Sequence, residues 1–203
     1  MRMNKSYGRV VMLATFAFAV ALSLGKTYAL AAEKLVVADF DTGDKPNNIG
    51  GDFGAWDKDP NDETQKSAVT FEQQDALGDQ YGYALRLEYD VDSPNPAYNG
   101  FWMKLNQLNA TAYNTLKFYI KGDKTAGFTN KVKIELKDKA NIPSPYLLSG
   151  ITDEWQEVNI PLDKFRKITD WSALSEFVVV FDDINSNPKV GALFIDNVSF
   201  THT

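Results

Sequence analysis

Short runs in which apolar and polar residues alternate one by one recur along this chain. In the clearest example every second residue from Leu85 to Val91 is apolar, and the residues between are Arg86, Glu88 and Asp90. Since successive side chains of a β-strand point to opposite sides of the sheet, such a run predicts a strand with one apolar and one polar face. About ten strands are predicted: Leu35–Phe40, Ser67–Gln73, Tyr83–Val91, Tyr98–Leu105, Thr115–Lys121, Lys131–Lys137, Tyr146–Ser149, Trp155–Pro161, Glu176–Phe181 and Gly191–Phe200.

The number and spacing of these strands favour an all-β protein. Alternation of this kind is typical of antiparallel sheets that pack on one side only. We therefore expect an antiparallel two-sheet β-sandwich, or jelly roll. Helix is expected only in turns near Asp163–Arg166 and Ser172–Ser175. Residues 41–63, rich in Gly, Pro, Asp and Asn, are expected to form the longest loop, which needs an organiser such as a bound cation to be ordered.

The first 31 residues have the pattern of a secretory signal peptide. Arg2, Lys5 and Arg9 form a basic region, Val10–Leu24 is an apolar run, and an Ala-Leu-Ala motif ends at Ala31. The apolar run is shorter than the roughly 20 residues that a membrane span requires. We expect cleavage after Ala31, no stable membrane insertion afterwards, and a secreted or periplasmic location.

The remaining residues, 32–203, have the size of a single domain. The predicted signal segment contains four of the chain's 21 basic residues and none of its 27 acidic residues, which leaves 17 basic against 27 acidic. This excess of negative charge argues against nucleic acid as a partner. Cysteine is absent from the chain, so disulfide bonds are excluded and stability must come from packing or a bound metal.

The chain has few of the residue types on which catalytic sites are commonly built. The only histidine, His202, lies one residue from the C-terminus, and a residue at a fraying chain end is badly placed to act as a positioned base. Without an internal histidine or any cysteine, neither a nucleophilic triad nor a typical zinc site can be assembled. We therefore expect no enzyme, and a glycosidase or lyase that uses paired carboxylates is the weakest hypothesis.

Acidic residues stand within apolar runs near both ends of the predicted domain. Asp39 and Asp41 follow the first predicted strand, and Asp196 lies within the last. If these two runs are neighbouring strands, their carboxylates can meet and supply the oxygen ligands that Ca²⁺ requires. The alternative is that Asp39 and Asp41 only solvate the end of a strand.

Five segments resemble family 11 carbohydrate-binding modules, in the order in which that family has them. They are Gly82–Tyr89, Tyr98–Trp102, Tyr113–Lys121, Trp155–Arg166 and Phe194–Val198. Related galactose-binding-like domains, including a complex I assembly factor family, share parts of this pattern. The resemblance implies a β-jelly roll with structural calcium, held by Asp41, Asp196 and Asp39, whose concave face binds a polysaccharide of β-glucan type without cleaving it.

The resemblance also implies which residues face the sugar. A pyranose ring needs aromatic platforms for its C–H face and polar side chains around its rim. The candidates that the resemblance implies are Trp56, Phe101, Tyr146, Arg166 or Lys167, Asp170, Trp171, Phe181 and Asp182. Strand parity leaves an alternative at one position: Phe101 can equally lie on the apolar side, in which case Trp102 faces the ligand.

A second hypothesis uses the same sandwich for a different partner. Surfaces rich in Tyr, Trp and Phe also bind proteins. The sequence therefore leaves two functions open, polysaccharide binding and a structural or assembly role with a protein partner.

Overall fold

The computed structural model describes residues 34–74, 76–78 and 82–202, so the predicted signal peptide (1–31) lies outside the described residues. The described part contains eleven β-strands, one 3-10 helix and no α-helix. No helix in this part is long and apolar enough to cross a membrane. The strands are β1 (Lys34–Ala38), β2 (Phe53–Asp57), β3 (Lys66–Glu72), β4 (Ala84–Asp90), β5 (Tyr98–Leu108), β6 (Thr115–Gly122), β7 (Lys131–Asp138), β8 (Ser144–Ser149), β9 (Gln156–Pro161), β10 (Leu174–Asp182) and β11 (Val190–Thr201).

The strands form two antiparallel sheets, which confirms the predicted two-sheet sandwich. The six-stranded sheet has the order β3-β4-β11-β6-β9, and β1 also pairs with β11. The five-stranded sheet has the order β2-β5-β10-β7-β8. Strand β4 pairs with the first half of β11 and β1 with its second half, so Lys34 lies opposite Thr201. The first and last strands of the domain are therefore neighbours, which was the condition for their acidic residues to meet.

The core lies between the sheets and follows the sequence alternation. On β5, Phe101 and Met103 are 0% exposed, whereas Trp102 between them is partly exposed and points to the outer face. The ring of Phe101 contacts those of Phe53 and Phe177, with centroids 5.9 and 6.4 Å apart. Strand parity therefore decides the alternative left open by the sequence: Phe101 is a core residue.

Strand β2 was not predicted, because it lies within residues 41–63, the expected loop. Gly50 and Gly51 before the strand and Gly54 within it hide the pattern. Pairing with β5 nevertheless places Phe53 opposite Met103 and buries it to 1% exposure. The loop before β2 is organised by Asn47, which is 6% exposed. Its side-chain oxygen accepts from the Gly51 amide (2.6 Å), and its Nδ2 donates to the Lys104 carbonyl (3.0 Å). A side chain therefore organises this loop.

Within residues 34–74, 76–78 and 82–202, helix is limited to one 3-10 turn, Leu162–Lys164. The Phe165 amide closes it by donating to the Leu162 carbonyl at 3.0 Å. This turn overlaps the predicted one at 163–166. The prediction at 172–175 is wrong, because β10 begins at Leu174, which pairs with Leu108 of β5 and Asp138 of β7.

Because Phe101 and Trp102 lie on different faces of β5, we expect their substitution by alanine to lower the free energy of unfolding by unequal amounts. We expect Phe101→Ala to lower the free energy of unfolding by about 3–5 kcal/mol, because it opens a cavity in the core. Trp102→Ala removes a partly exposed ring from the outer face and should cost less than half of that. Urea unfolding followed by circular dichroism measures both values; equal costs would contradict the assigned faces.

Candidate functional site

The outer face of the five-stranded sheet forms an open groove of about 750 Å³. Its floor and walls come from outward-pointing residues of four adjacent strands, β2, β5, β10 and β7. These residues stand opposite one another in three rows across the sheet: Trp56, Gly100, Val180 and Lys133; Gly54, Trp102, Val178 and Glu135; and Lys104, Glu176 and Lys137. The sheet register therefore fixes the layout of the groove.

The floor of the groove is apolar. Val178 and Val180 point to the outer face of β10, yet they are only 3% and 7% exposed. Phe177 and Val179 point inwards and are 0% exposed. Strand β10 is thus covered on both faces, and the side chains that cover its outer face are those that line the groove.

The β2–β5 side of the groove is aromatic. Trp56 and Trp102 line it, both partly exposed, and each lies opposite a glycine of the neighbouring strand. The Trp102 indole lies beside Gly54, where an added Cβ would sit 3.5 Å from the ring. Gly100 (φ 153°), opposite Trp56, has no space for a side chain, since a Cβ would lie 2.0 Å from the Val179 carbonyl oxygen. The glycines leave the indoles room along the sheet.

The ring of Tyr98 extends this aromatic side to the rim. It meets Trp56 edge to face, with ring centroids 5.7 Å apart and planes at 62°. Tyr98 is 42% exposed, and Lys58 Nζ lies 5.3 Å from its centroid. The groove thus offers three aromatic rings on neighbouring strands.

The β10–β7 side of the groove is charged, and most of its charges are paired. Glu176 accepts hydrogen bonds from the ammonium groups of Lys104 (2.6 Å) and Lys137 (2.7 Å). Asp182 pairs with Lys133 Nζ at 2.7 Å and also accepts from the Asn185 amides. These paired charges hold the three lysines in place.

Hydrogen bonding lowers the pKa of both paired carboxyl groups. Burial raises the pKa of Glu176, but hydrogen bonds from Lys104 and Lys137 outweigh it. Burial likewise raises the pKa of Asp182, and hydrogen bonds from Lys133 and Asn185 outweigh it. Both carboxylates are therefore ionised at neutral pH.

A third carboxylate, Glu135, has no such partner. It is half-buried in the groove wall, and among the described residues its side chain makes no hydrogen bond or ion pair. Burial raises the pKa of Glu135, although the charges of Lys137, Lys133 and Lys167 act in the opposite direction. The groove therefore combines aromatic faces with one acceptor group whose hydrogen-bonding capacity is unused.

Three of the residues expected to face a sugar line this groove: Trp56, Trp102 and Asp182. Phe101 and Phe181 do not. Both are 0% exposed in the core, and Phe181 stacks on Tyr89 with ring centroids 4.1 Å apart. The expectation for these two phenylalanines is wrong, because their strand positions point inwards.

Tyr146 does not line the groove either. It lies opposite Ile134, a core residue, and its ring packs towards Phe165 at 6.4 Å between centroids. Its expected place on the sugar-facing side is wrong because β8 turns this position towards the space between the sheets. Leu147, the next residue, is the one that points outwards and is 49% exposed.

The expected cluster of Arg166, Asp170 and Trp171 also lies away from the groove. Arg166 is exposed, and Asp170 is held by Lys139 Nζ (2.6 Å) and the Ser172 hydroxyl (2.5 Å). Trp171 packs partly against the core and lines a separate cleft of about 620 Å³ with Tyr113. The structure therefore does not bring these residues together with Trp56 and Trp102.

Most of the charged groove residues were missed by the sequence analysis. Lys133, Glu135 and Lys137 appear in the sequence only as the polar face of a strand. A signal was available in the uninterrupted apolar run 177–181, since a strand without alternation is typical of one covered on both faces. The outer cover of such a strand is where a groove can form.

The three aspartates expected to bind calcium do not form a cluster. The Asp39 carboxylate accepts from Asn48 Nδ2 (2.7 Å), and Asp196, 0% exposed, accepts from the amides of Ala76 (3.0 Å) and Asn197 (2.7 Å). In the part of the chain that the structure describes, no three His, Asp or Glu residues are grouped to hold a metal ion. The expected three-carboxylate site is therefore not present there.

The backbone leaves the regular strand pairing just before Asp39 and Asp41. Strands β1 and β11 pair, but the register shifts between Val36 and Ala38, and the last paired residue of β1 is Ala38, opposite Val198. Phe40 then adopts φ 57° and turns the chain. Strand pairing alone therefore does not fix the positions of the carboxylates that follow β1, and calcium binding stays a prediction.

Calcium dependence can be measured directly. If a calcium ion stabilises the fold, EDTA should lower the melting temperature and added Ca²⁺ should restore it, since a ligand that binds only the folded state stabilises that state. Differential scanning calorimetry with Mg²⁺ as the control ion measures the effect. A melting temperature that EDTA leaves unchanged would refute the prediction that calcium stabilises this fold.

The paired side of the groove predicts a loss of stability for Glu176→Gln. The variant leaves Lys104 and Lys137 without their shared anion, and we expect the free energy of unfolding to fall by about 1–2 kcal/mol at pH 7. Glu63→Gln, at an exposed position, is the control and should change it by less than about 0.5 kcal/mol.

The effect of Glu176→Gln on the free energy of unfolding should depend on pH. The pKa of Glu176 is lowered in the folded state from 4.5, so its contribution is present above that value and is lost as the pH falls through the folded-state pKa. The difference between wild type and Glu176→Gln should therefore shrink in acid. A difference that grows below pH 4.5 would contradict the ion pairs.

Comparison with known proteins agrees with this architecture. The family model described as carbohydrate binding domain 30 matches residues 46–202. No curated protein matches the chain in sequence.

Solved structures of carbohydrate-binding modules are similar in fold. A family 11 module from Clostridium thermocellum, solved with a β-1,3-1,4-mixed-linked tetrasaccharide, has a TM-score of 0.60 and 13% identity, covering 84% of this chain and 96% of that chain. A family 28 module specific for non-crystalline cellulose has a TM-score of 0.53 and 18% identity, covering 85% and 97%. A family 30 module has a TM-score of 0.51 and 19% identity, covering 66% and 73%. The expected likeness to family 11 is confirmed, while the family model that matches is that of domain 30.

Proposed function

The chain belongs to the carbohydrate binding domain 30 family, and we propose that it binds a polysaccharide of β-glucan type in the groove on its five-stranded sheet. Binding is non-catalytic in this proposal. The observation that carries it is the arrangement of Trp56 and Trp102 on adjacent strands beside a row of polar groups.

This arrangement matches the chemistry of a pyranose. Each sugar ring has faces of C–H groups, which stack on indole, and a rim of hydroxyls, which need donors and acceptors. The indoles supply the faces on β2 and β5, and the lysines and carboxylates of β10 and β7 supply the rim. Because water competes for every hydroxyl in an open groove, we expect modest affinity that depends mainly on the stacked rings.

The β-glucan type is supported by size and by the solved structures. A volume of about 750 Å³ suits an oligosaccharide segment. Two solved modules of similar fold have β-glucan ligands: one was solved in complex with a β-1,3-1,4-mixed-linked tetrasaccharide, and the other is specific for non-crystalline cellulose. The signal-peptide pattern of residues 1–31 adds the proposal that binding takes place after export, in the periplasm or the medium.

A second candidate is recognition of a protein partner through the same groove. Exposed apolar side chains at its rim favour it, above all Ile184, which is 87% exposed. This hypothesis predicts a co-purifying polypeptide and no effect of glycans. A clean monomer from the native source would count against it.

The proposed function predicts which tryptophans matter for glycan binding. Migration in native gels that contain soluble β-1,3-1,4-mixed-linked glucan should be retarded for the wild type. Trp56→Ala and Trp102→Ala should each lose most of the retardation, since each removes one stacking face worth about 1 kcal/mol or more. Trp155→Ala and Trp171→Ala, outside the groove, are the matched controls and should migrate like the wild type.

Other outcomes of this experiment have clear meanings. If no polysaccharide of a broad panel retards the wild type, glycan binding is refuted. If Trp171→Ala alone abolishes retardation, the binding site is the cleft beside Tyr113 instead of the groove. Release of reducing sugar from the glucan would contradict a non-catalytic function.

A further inference from the structure

The three carboxylates that β7 and β10 contribute to the groove differ in how their oxygen atoms are used. Glu176 and Asp182 each bind lysine ammonium groups at 2.6–2.7 Å. Glu135, half-buried in the wall, has no hydrogen bond or ion pair with any residue that the structure describes. A half-buried carboxylate left without donors is costly to the fold, and an uncompensated polar group of this kind calls for an explanation.

The position of Glu135 in the groove explains why its carboxylate is left without a partner. It lies in the middle row of the groove, opposite Val178, which in turn lies opposite Trp102. Glu135 is therefore two strand spacings, or about 10 Å, from Trp102. Val178 between them is apolar and lies low in the floor, at 3% exposure. A sugar ring that stacks on Trp102 would extend its hydroxyl rim over Val178 towards Glu135.

We propose that Glu135 binds the glycan directly, accepting hydrogen bonds from its hydroxyl groups, and that protonation of this one carboxyl weakens binding. This inference rests on the proposed function. A carboxylate can accept from two neighbouring hydroxyls at once, whereas the protonated acid loses acceptor capacity and the charge that strengthens these bonds.

The lysines near Glu135 are engaged elsewhere or act on it only through their charge. Lys133 and Lys137 flank it on β7 but are paired with Asp182 and Glu176 of β10. From β5, Lys104 also binds Glu176, and the strand β8 places uncharged Pro145 opposite Glu135. Lys167 acts on Glu135 only through its charge. The surrounding lysines consequently do not take the place of the sugar hydroxyls.

The pKa directions separate Glu135 from its neighbours. Burial raises the pKa of Glu135 above the ordinary 4.5, while the pKa values of Glu176 and Asp182 are lowered by their lysines. Of the three carboxyl groups that β7 and β10 contribute, Glu135 is therefore the one that changes its charge above pH 4.5.

Stability should respond in the opposite sense to binding. The raised pKa means that the charged form of Glu135 is disfavoured in the folded state, so its cost to folding is fully present above the folded-state pKa and disappears as the pH falls to the ordinary value of 4.5. Glu135→Gln removes this cost at neutral pH. A residue kept for binding should therefore gain stability and lose affinity when it is replaced, and a purely structural residue should not.

The test compares Glu135→Gln with wild type by isothermal titration calorimetry at pH 7, with soluble β-1,3-1,4-mixed-linked glucan as the probe. We expect about tenfold weaker binding, because a charge-assisted hydrogen bond is lost. The melting temperature of the variant should equal or exceed that of the wild type. Glu63→Gln, an exposed position outside the groove, is the matched control and should bind like the wild type.

A second measurement uses the unaltered protein. The affinity of wild type for the same glucan should fall in acid with a midpoint above pH 4.5, and Glu135→Gln should show no such midpoint. The wild-type series tests the role even if the variant folds poorly, because an affinity that does not fall in acid would refute it.

The outcomes separate the two proposals. If wild type binds the glucan and Glu135→Gln binds equally well, the role of Glu135 is refuted and the proposed function stands. A pH midpoint that persists in Glu135→Gln also refutes the role. If wild type does not bind the glucan at all, the β-glucan proposal fails and the inference fails with it.

Discussion

The burial of strand β10 on both of its faces is the constraint on which the rest of this structure depends. One face of the strand packs into the core through Phe177, Val179 and Phe181, which are 0% exposed. The other face carries Val178 and Val180, which are shielded from water by side chains of β2, β5 and β7. Because an apolar outer face must be covered, its neighbours carry long side chains there, and these form a groove with an apolar floor.

The same requirement explains why the groove is chemically divided. On the β2–β5 side the cover is aromatic, with Trp56 and Trp102 lying beside glycines. On the β7 side the cover consists of Lys133 and Lys137, whose ammonium groups need anions close by. The carboxylates of β10 meet that need and are held ionised by it. An arrangement required for stability thus produces a stacking surface next to a polar rim, which is the combination that a sugar ring can use.

The sequence predicted the fold well because strand periodicity is a local property. Alternation along β4, β5 and β7 identified the strands and their two faces, and the pairing of the first and last strands was also expected. The site was predicted only in part, because it depends on which strands become neighbours. Trp56 was assigned to a loop, since β2 is recognisable only through its pairing with β5. Phe181 was placed on the ligand side, although stacking on Tyr89 holds it in the core. Glu135 carried no local signal, because the absence of a partner is a property of the folded groove.

The four strands of the groove are distant in the sequence, and this has a consequence for how the site comes into being. Trp56 and Trp102 belong to the first half of the predicted domain, residues 32–203, whereas Glu135 and Glu176 belong to the second. In the sheet, β2 and β5 meet β7 only through β10, which is the last of the four to be synthesised. Contacts of such long sequence separation form late and cooperatively during folding. A chain that lacks β10 therefore cannot join the aromatic side of the groove to the charged side, and a ligand that engages both sides would recognise only molecules in which β10 is in place.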